Sequence, residues 1–172
     1  LNEVQLNNLK EEMHLDFSYA YKDSARFRVN VYQAQGVWNA AFRLIPTHIQ
    51  TLEELNLPPM LKKFTQNKQG LVLVVGPTGH GKSTALASML NEINITRSEH
   101  ILTIEDPVEF LFTHKQSFIS QREVGQDTPS FSHALKAALR EDINVVLVGE
   151  MRDLESISAT LTLAETGHLI FA

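Results

Sequence analysis

The run LVLVVGPTGHGKSTALASML, residues 71–90, constrains this chain more than any other stretch. Five apolar residues lead into a loop carrying glycines, a lysine and a serine, and apolar residues then return at helical spacing. Gly76 to Ser83 satisfies G-x-x-x-x-G-K-[ST], and the match stands between a predicted strand and a predicted helix, where the pattern has a mechanism. Glycines let backbone N–H groups face phosphate oxygens, and the start of the helix presents its positive dipole end. Lys82 is then placed to reach β- and γ-phosphates, and Ser83 to hold Mg²⁺.

From Leu71 onward strand and helix signals alternate. LVLVV reads as a buried strand, and Leu86, Met89, Leu90 and Ile93 recur at helical spacing behind the loop. ILTI is strand-like again. A helix through Phe131, Ala134, Leu135, Ala138 and Leu139 precedes the strand VVLV. A further helix from Leu154, capped by Asp153, precedes HLIF after Gly167. Apolar strands alternating with helices predict an α/β fold, a parallel sheet with helices on both faces.

The upstream segment has a different rhythm. In RFRVNVY, residues 26–32, Phe27, Val29 and Val31 share one face while Arg26, Arg28 and Asn30 share the other. After the turn-like QAQG, the run WNAAFRLI puts Trp38, Ala40, Phe42 and Leu44 on one face and Arg43 opposite, which predicts an antiparallel hairpin ending at Pro46. Thr51 and Glu54 stand in a capping-box relation that predicts a short helix, Pro58 and Pro59 break the pattern, and a second short helix runs through Met60, Leu61 and Phe64. The expected organisation is an N-terminal region over 1–50, a linker over 51–69 and the phosphate-loop domain over 70–172.

Composition narrows the function classes. The chain has 172 residues, 43% hydrophobic and 20% charged, as in soluble globular proteins, with no run near the ~20 apolar residues of a membrane-spanning helix. Cysteine is absent, which removes thiolate metal sites and disulfides, and the seven histidines show no H-x3-H pairing. A formal net charge of −5 argues against tracking along nucleic acid by phosphate contacts. Leu1 at the start and a strand-like GHLIFA at the end suggest a fragment of a longer protein.

A phosphate loop needs carboxylates from neighbouring strand ends, to position Mg²⁺ and to activate the attacking water. VVLVGE ends with Glu150, and ILTIEDPVE offers Glu105, Asp106 and Glu109 around a turn at Pro107. The spacing does not choose among them. Arg28 and Arg43 lie on the polar faces of adjacent hairpin strands. A solitary arginine there is ordinarily a solvated side chain, but two aimed the same way can neutralise phosphate charge. His168, opening the last strand, reads on its own as a hydrogen-bonded structural histidine.

GPTGHGKST, LTIEDPVEF, LREDINVVLVGEMRDLES and AETGHLIFA, in this order and spacing, closely resemble the secretion-ATPase superfamily, and within it the branch that powers type IV pilus retraction. The resemblance covers nearly the whole chain. It implies a RecA-like P-loop ATPase domain, truncated at its C-terminus and preceded by the latter part of a PAS-like α+β domain, for which ARFRVNVYQAQG and FRLIP are the matching runs. ATP and Mg²⁺ are the implied cofactors.

Carried over residue by residue, the resemblance makes Gly76, Pro77, Thr78, Gly79, His80, Gly81, Lys82, Ser83 and Thr84 the Walker A loop. It makes Glu109 the favoured general base over Glu105, with Asp106 in the same acidic box. Glu150 becomes an atypical Walker B glutamate that holds Mg²⁺ through water, alongside Ser83. His168 becomes the first histidine of the family's His box, and Arg28 and Arg43 the pair that closes over the nucleotide. His80 departs from the small residue often found there, and its side chain is expected to point away from the phosphates. The implied assembly is a homohexameric ring, cytoplasmic and peripheral to the inner membrane, bound to a pilus platform protein and to no nucleic acid. Rival readings are an extension or type II secretion ATPase, a DNA translocase, and a non-hydrolysing accessory scaffold.

Overall fold

The computed structural model describes residues 1, 3–22, 25–46 and 48–172. The chain divides into two compact units, Leu1–Thr47 and His48–Ala172.

The first unit holds helix α1 (Glu3–Glu12) and strands β1 (His14–Tyr21), β2 (Ala25–Ala34) and β3 (Val37–Ile45). The strands form an antiparallel sheet in the order β1-β2-β3. The predicted hairpin is β2 and β3, joined through Gln35 and Gly36 at φ 53° and 79°. Two positive-φ residues match the right-handed twist of the strands, which is why a glycine serves at the second position. Val29 and Ile45 are buried. Trp38, Phe42 and Leu44, expected on an apolar face, are 50%, 61% and 60% exposed.

The second unit carries the phosphate loop. Thr51 and Glu54 make the reciprocal bonds the sequence predicts: Thr51 N–H donates to Glu54 Oε2 at 2.8 Å and Glu54 N–H to Thr51 Oγ1 at 3.2 Å. They close turns, not the expected helix, because Asn56 reverses the chain at φ 52° before a helical register can extend. The second short helix is α2 (Leu61–Thr65).

Then follow β4 (Gly70–Val72), α3 (Lys82–Thr96), β5 (His100–Glu105), β6 (Phe118–Glu123), α4 (Phe131–Ala138), β7 (Val145–Val148), α5 (Leu154–Glu165) and β8 (Leu169–Phe171). The strands form a five-stranded sheet in the order β4-β8-β7-β5-β6, with every pair parallel. Alternate side chains feed two cores. Ile101, Val145, Leu147, Leu169 and Phe171 pack with Leu86, Met89, Leu90 and Ile93 of α3. Leu102, Ile104, Val146, Val148 and Ile170 pack with Leu135 of α4 and Leu163 of α5. Burial on both faces explains why these strands read as unbroken apolar runs. Each fully buried leucine or isoleucine contributes about 1.5–3 kcal/mol relative to exposure.

Asp153 caps α5 as predicted, accepting the N–H of Ser156 at 2.7 Å, and Ser130 caps α4 in the same way at 3.2 Å. A second expectation changes: LVLVV is not a fully buried strand. Among the described residues β4 is an edge strand, and Leu73 and Val75 are 53% and 86% exposed. The physical reason is pleating. Val72 and Val74 turn toward the α3 side and pack there, whereas Leu73 and Val75 follow Leu71 on the other face, and only Leu71 reaches its core.

Candidate functional site

The loop between β4 and α3 has the backbone a phosphate cradle needs. Gly79 and Gly81 stand at φ 80° and 81°, a left-handed conformation that residues with a Cβ rarely adopt. Gly81 is the N-cap of α3, and no side chain caps that helix, whose first turn holds no acidic residue. The contrast with α4 and α5, both capped by side chains, leaves the first N–H groups of α3 available to an anion. Lys82 Nζ donates to the carbonyls of Gly76 at 2.9 Å and Pro77 at 3.0 Å, so its ammonium lies across the loop. His80 turns back on the loop, its Nδ1 3.2 Å from the Thr78 carbonyl oxygen. These donors, with an uncapped helix start and a lysine at its mouth, fit a nucleoside triphosphate. Ser83, exposed on the first turn of α3, adds the hydroxyl that a bound Mg²⁺ requires.

Register shows which acids share the loop's edge of the sheet. Val72 on β4 aligns with Phe171 on β8, Phe171 with Leu147 on β7, and Leu147 with Thr103 on β5. Because all strands are parallel, the phosphate loop, Glu105 and Glu150 all emerge from the same edge. A single strand, β8, separates the strand before Glu150 from β4, or roughly 10 Å at ~4.8 Å per strand step. Glu150 is half-buried and ion-paired to Arg152 at 2.8 Å.

Glu105 and its neighbours form a tighter group. Glu105 is 7% exposed, and burial pushes its carboxyl above the ordinary carboxylate value, with the nearby Glu109 charge pushing the same way. Donors oppose that shift: the Thr103 hydroxyl reaches Oε1 at 2.7 Å and the Glu109 N–H reaches Oε2 at 3.1 Å. Glu109 itself is half-buried, Asp106 is exposed, and the Asp106–Pro107 peptide is cis. Thr103 had no role in the sequence reading. Its signal was there, since residues two apart on a strand share a face.

Gly149 marks a close approach. Its N–H donates to the Ile104 carbonyl at 2.8 Å, and a Cβ there would stand 3.2 Å from that oxygen and 3.4 Å from Glu105 Cα. The glycine before Glu150 therefore lets β7 run close beside the end of β5.

Arg28 and Arg43 lie on adjacent strands of the hairpin as the alternation predicted, and the register makes them direct cross-strand partners in the first unit. They line a cleft of about 440 Å³ with Asp16, Asn30, Ala41 and Phe42, and Asn30 donates to Asp16 Oδ2 at 3.1 Å.

His168 is not brought to the loop's edge of the sheet. It precedes β8, its carbonyl accepts the Gly70 N–H at 3.0 Å, and its Nδ1 lies 3.0 Å from the Leu163 carbonyl at the end of α5. Four residues of strand, roughly 13 Å at ~3.3 Å each, separate it from Ala172 at the loop's edge. In this position His168 ties the end of α5 to the start of β8.

Comparison with known proteins agrees with this architecture. The family described as type II/IV secretion system protein matches residues 17–172. The chain is 50% identical to the type IV pilus retraction ATPase PilT of Pseudomonas aeruginosa, over 99% of this chain and 50% of that protein. It is 51% identical to a twitching motility protein of Neisseria gonorrhoeae, over 99% of this chain and 46% of that one. A crystal structure of the pilus retraction motor PilT with bound ADP superposes with a TM-score of 0.95 at 50% identity, covering 99% of this chain and 50% of that one. The chain spans about half the length of these relatives. An uncapped, left-handed glycine loop at the edge of a five-stranded parallel sheet, joined to these matches along nearly its whole length, places the chain in the type II/IV secretion system protein family.

Proposed function

We propose that this chain carries the nucleotide-binding core of an ATP-hydrolysing motor that retracts type IV pili. The observation that carries the reading is the loop 76–84, whose uncapped helix start and bridging Lys82 form a triphosphate cradle. The relatives named for retraction and for twitching align over 99% of the chain, which favours retraction over extension or secretion.

In this reading the backbone N–H groups from Gly76 to Thr84 hold the phosphates and Lys82 moves from its loop carbonyls to phosphate oxygens. Ser83 and Asp106, with Glu150 acting through water, would hold Mg²⁺. An ion held there would supply positive charge that offsets the negative charge of the phosphates. Glu109 accepts a proton from the attacking water, and Glu105, anchored by Thr103, holds the Glu109 backbone in place. Arg28 and Arg43, cross-strand partners in the first unit, are assigned to neutralising phosphate charge.

The motor works as a homohexamer, cytoplasmic and peripheral to the inner membrane, held there by a pilus platform protein. Among the described residues no helix is long and apolar enough to cross a membrane. The test is Glu109→Gln in the chain at its native length. ADP affinity should stay within about twofold while phosphate release falls on the order of a hundredfold, the scale of general-base catalysis. A parental rate of release would sink the assignment.

A further inference from the structure

We propose that Gln121 of β6 is the positioning residue that holds Glu109 at its working place, an inference that rests on the reading of Glu109 as the base. Residues 106–112 after β5 contain no strand or helix, so the loop's backbone groups need partners from elsewhere. They find them in side chains. Val108 N–H donates to Glu123 Oε2 at 3.1 Å and Glu109 N–H to Glu105 Oε2 at 3.1 Å. Phe112 N–H donates to Gln121 Oε1 at 3.0 Å, and Gln121 Nε2 donates to the Phe110 carbonyl at 2.8 Å.

Gln121 is distinctive in that set because it bonds the loop twice, once as acceptor and once as donor. That is the pattern a neighbouring strand would offer through its own peptide groups. One side-chain amide therefore stands in for a strand. The Phe112 N–H requires an oxygen, which turns the NH₂ of the amide toward the Phe110 carbonyl. The same NH₂ lies 3.5 Å from Glu105 Oε1, whose other oxygen holds the Glu109 N–H. Glu109 thus lies beside two anchors: Glu105 on its own N–H, and Gln121 on Phe110 and Phe112, one and three residues further on.

The register explains why this falls to position 121. Gln121 is the β6 partner of Thr103, and Glu123 the partner of Glu105, so alternate residues of two adjacent strands converge under the loop. Only an amide of this length supplies both bond types. An ionised glutamate of the same shape would accept from Phe112 but turn a carboxylate on the Phe110 carbonyl and toward Glu105. A leucine would do neither.

The test compares Gln121→Glu and Gln121→Leu, alone and combined with Glu109→Gln, in the chain at its native length. The readouts are steady-state ATP hydrolysis, ADP affinity, thermal unfolding, and the slow residual turnover of the Glu109→Gln background. Each single variant should lower kcat about tenfold to a hundredfold, as expected for a displaced catalytic group, with KM and ADP Kd within about twofold. In the Glu109→Gln background neither should lower the residual rate further, because two changes acting through one group do not add.

The proposal is overturned if both single variants keep kcat within about twofold of the parent, if nucleotide affinity falls in step with kcat, if both variants unfold, or if the losses multiply in the double variants. A parental rate in Glu109→Gln alone overturns the base assignment. Parental rates in both Gln121 variants beside an inactive Glu109→Gln overturn only the positioning role.

Discussion

The Glu105 carboxylate accepts the backbone N–H of Glu109 at 3.1 Å, so one acid of the loop is fastened by another that is almost wholly buried. The two glutamates, indistinguishable by spacing, stand in different settings. Glu105 is tied down by Thr103 and the main chain, whereas Glu109 is half-buried with its N–H held from below.

Burial gives Glu105 a pH signature. Its carboxyl titrates above its ordinary value in the folded chain, so the folded state binds more protons than the unfolded state between the two values. Stability from this group is present below about pH 4, the unfolded value, and is lost as pH rises through the folded value. Glu105→Gln should flatten that slope. Its amide must also offer a donor where Thr103 or Glu109 already donates. Unfolding free energies from pH 4 to 8 check this, and parallel curves for the two proteins would contradict it.

Gly81 and Gly149 should fail on substitution for different reasons. Gly81→Ala meets no neighbour within 4 Å but must hold φ near 81°, a cost of about 1–2 kcal/mol. Gly149→Ala has no such backbone strain but presses on the Ile104 carbonyl at 3.2 Å, a cost of about 1–3 kcal/mol. Asparagine, which tolerates the left-handed region, should therefore be milder than alanine at position 81 and worse than alanine at 149. Denaturant unfolding of the four variants separates the two mechanisms.

Lys82→Ala should weaken ADP binding thirty- to a hundredfold, about 2–3 kcal/mol for charge-assisted bonds to phosphate. The unfolding midpoint should scarcely move, since the bonds of Lys82 go to the exposed residues Gly76 and Pro77. Calorimetric titration with ADP checks it. A twofold change or less would contradict the cradle.

Features made by neighbours along the chain could be read without coordinates. The left-handed loop needs glycines at 79 and 81, the α5 cap needs a side-chain acceptor three residues before Ser156, and the hairpin needs strict alternation that puts Arg28 and Arg43 on the polar faces of their strands. The same local logic misjudged 51–56, where a correctly paired capping box closes a turn because Asn56 breaks the helical path. It also hid the exposure of Leu73 and Val75, which depends on which helices cover which face of β4.

Contiguous residues were enough to specify a phosphate-gripping loop between strand and helix, because backbone conformation, helix dipole and lysine reach are all settled within about ten positions. They could not say which acids meet or which histidine is remote. That depended on β8, last in the chain, inserting between β4 and β7, and on β6 lying beside β5 so that Gln121 and Glu123 come under the loop. Strand order is a long-range choice made by burying two apolar faces at once, and no local pattern encodes it.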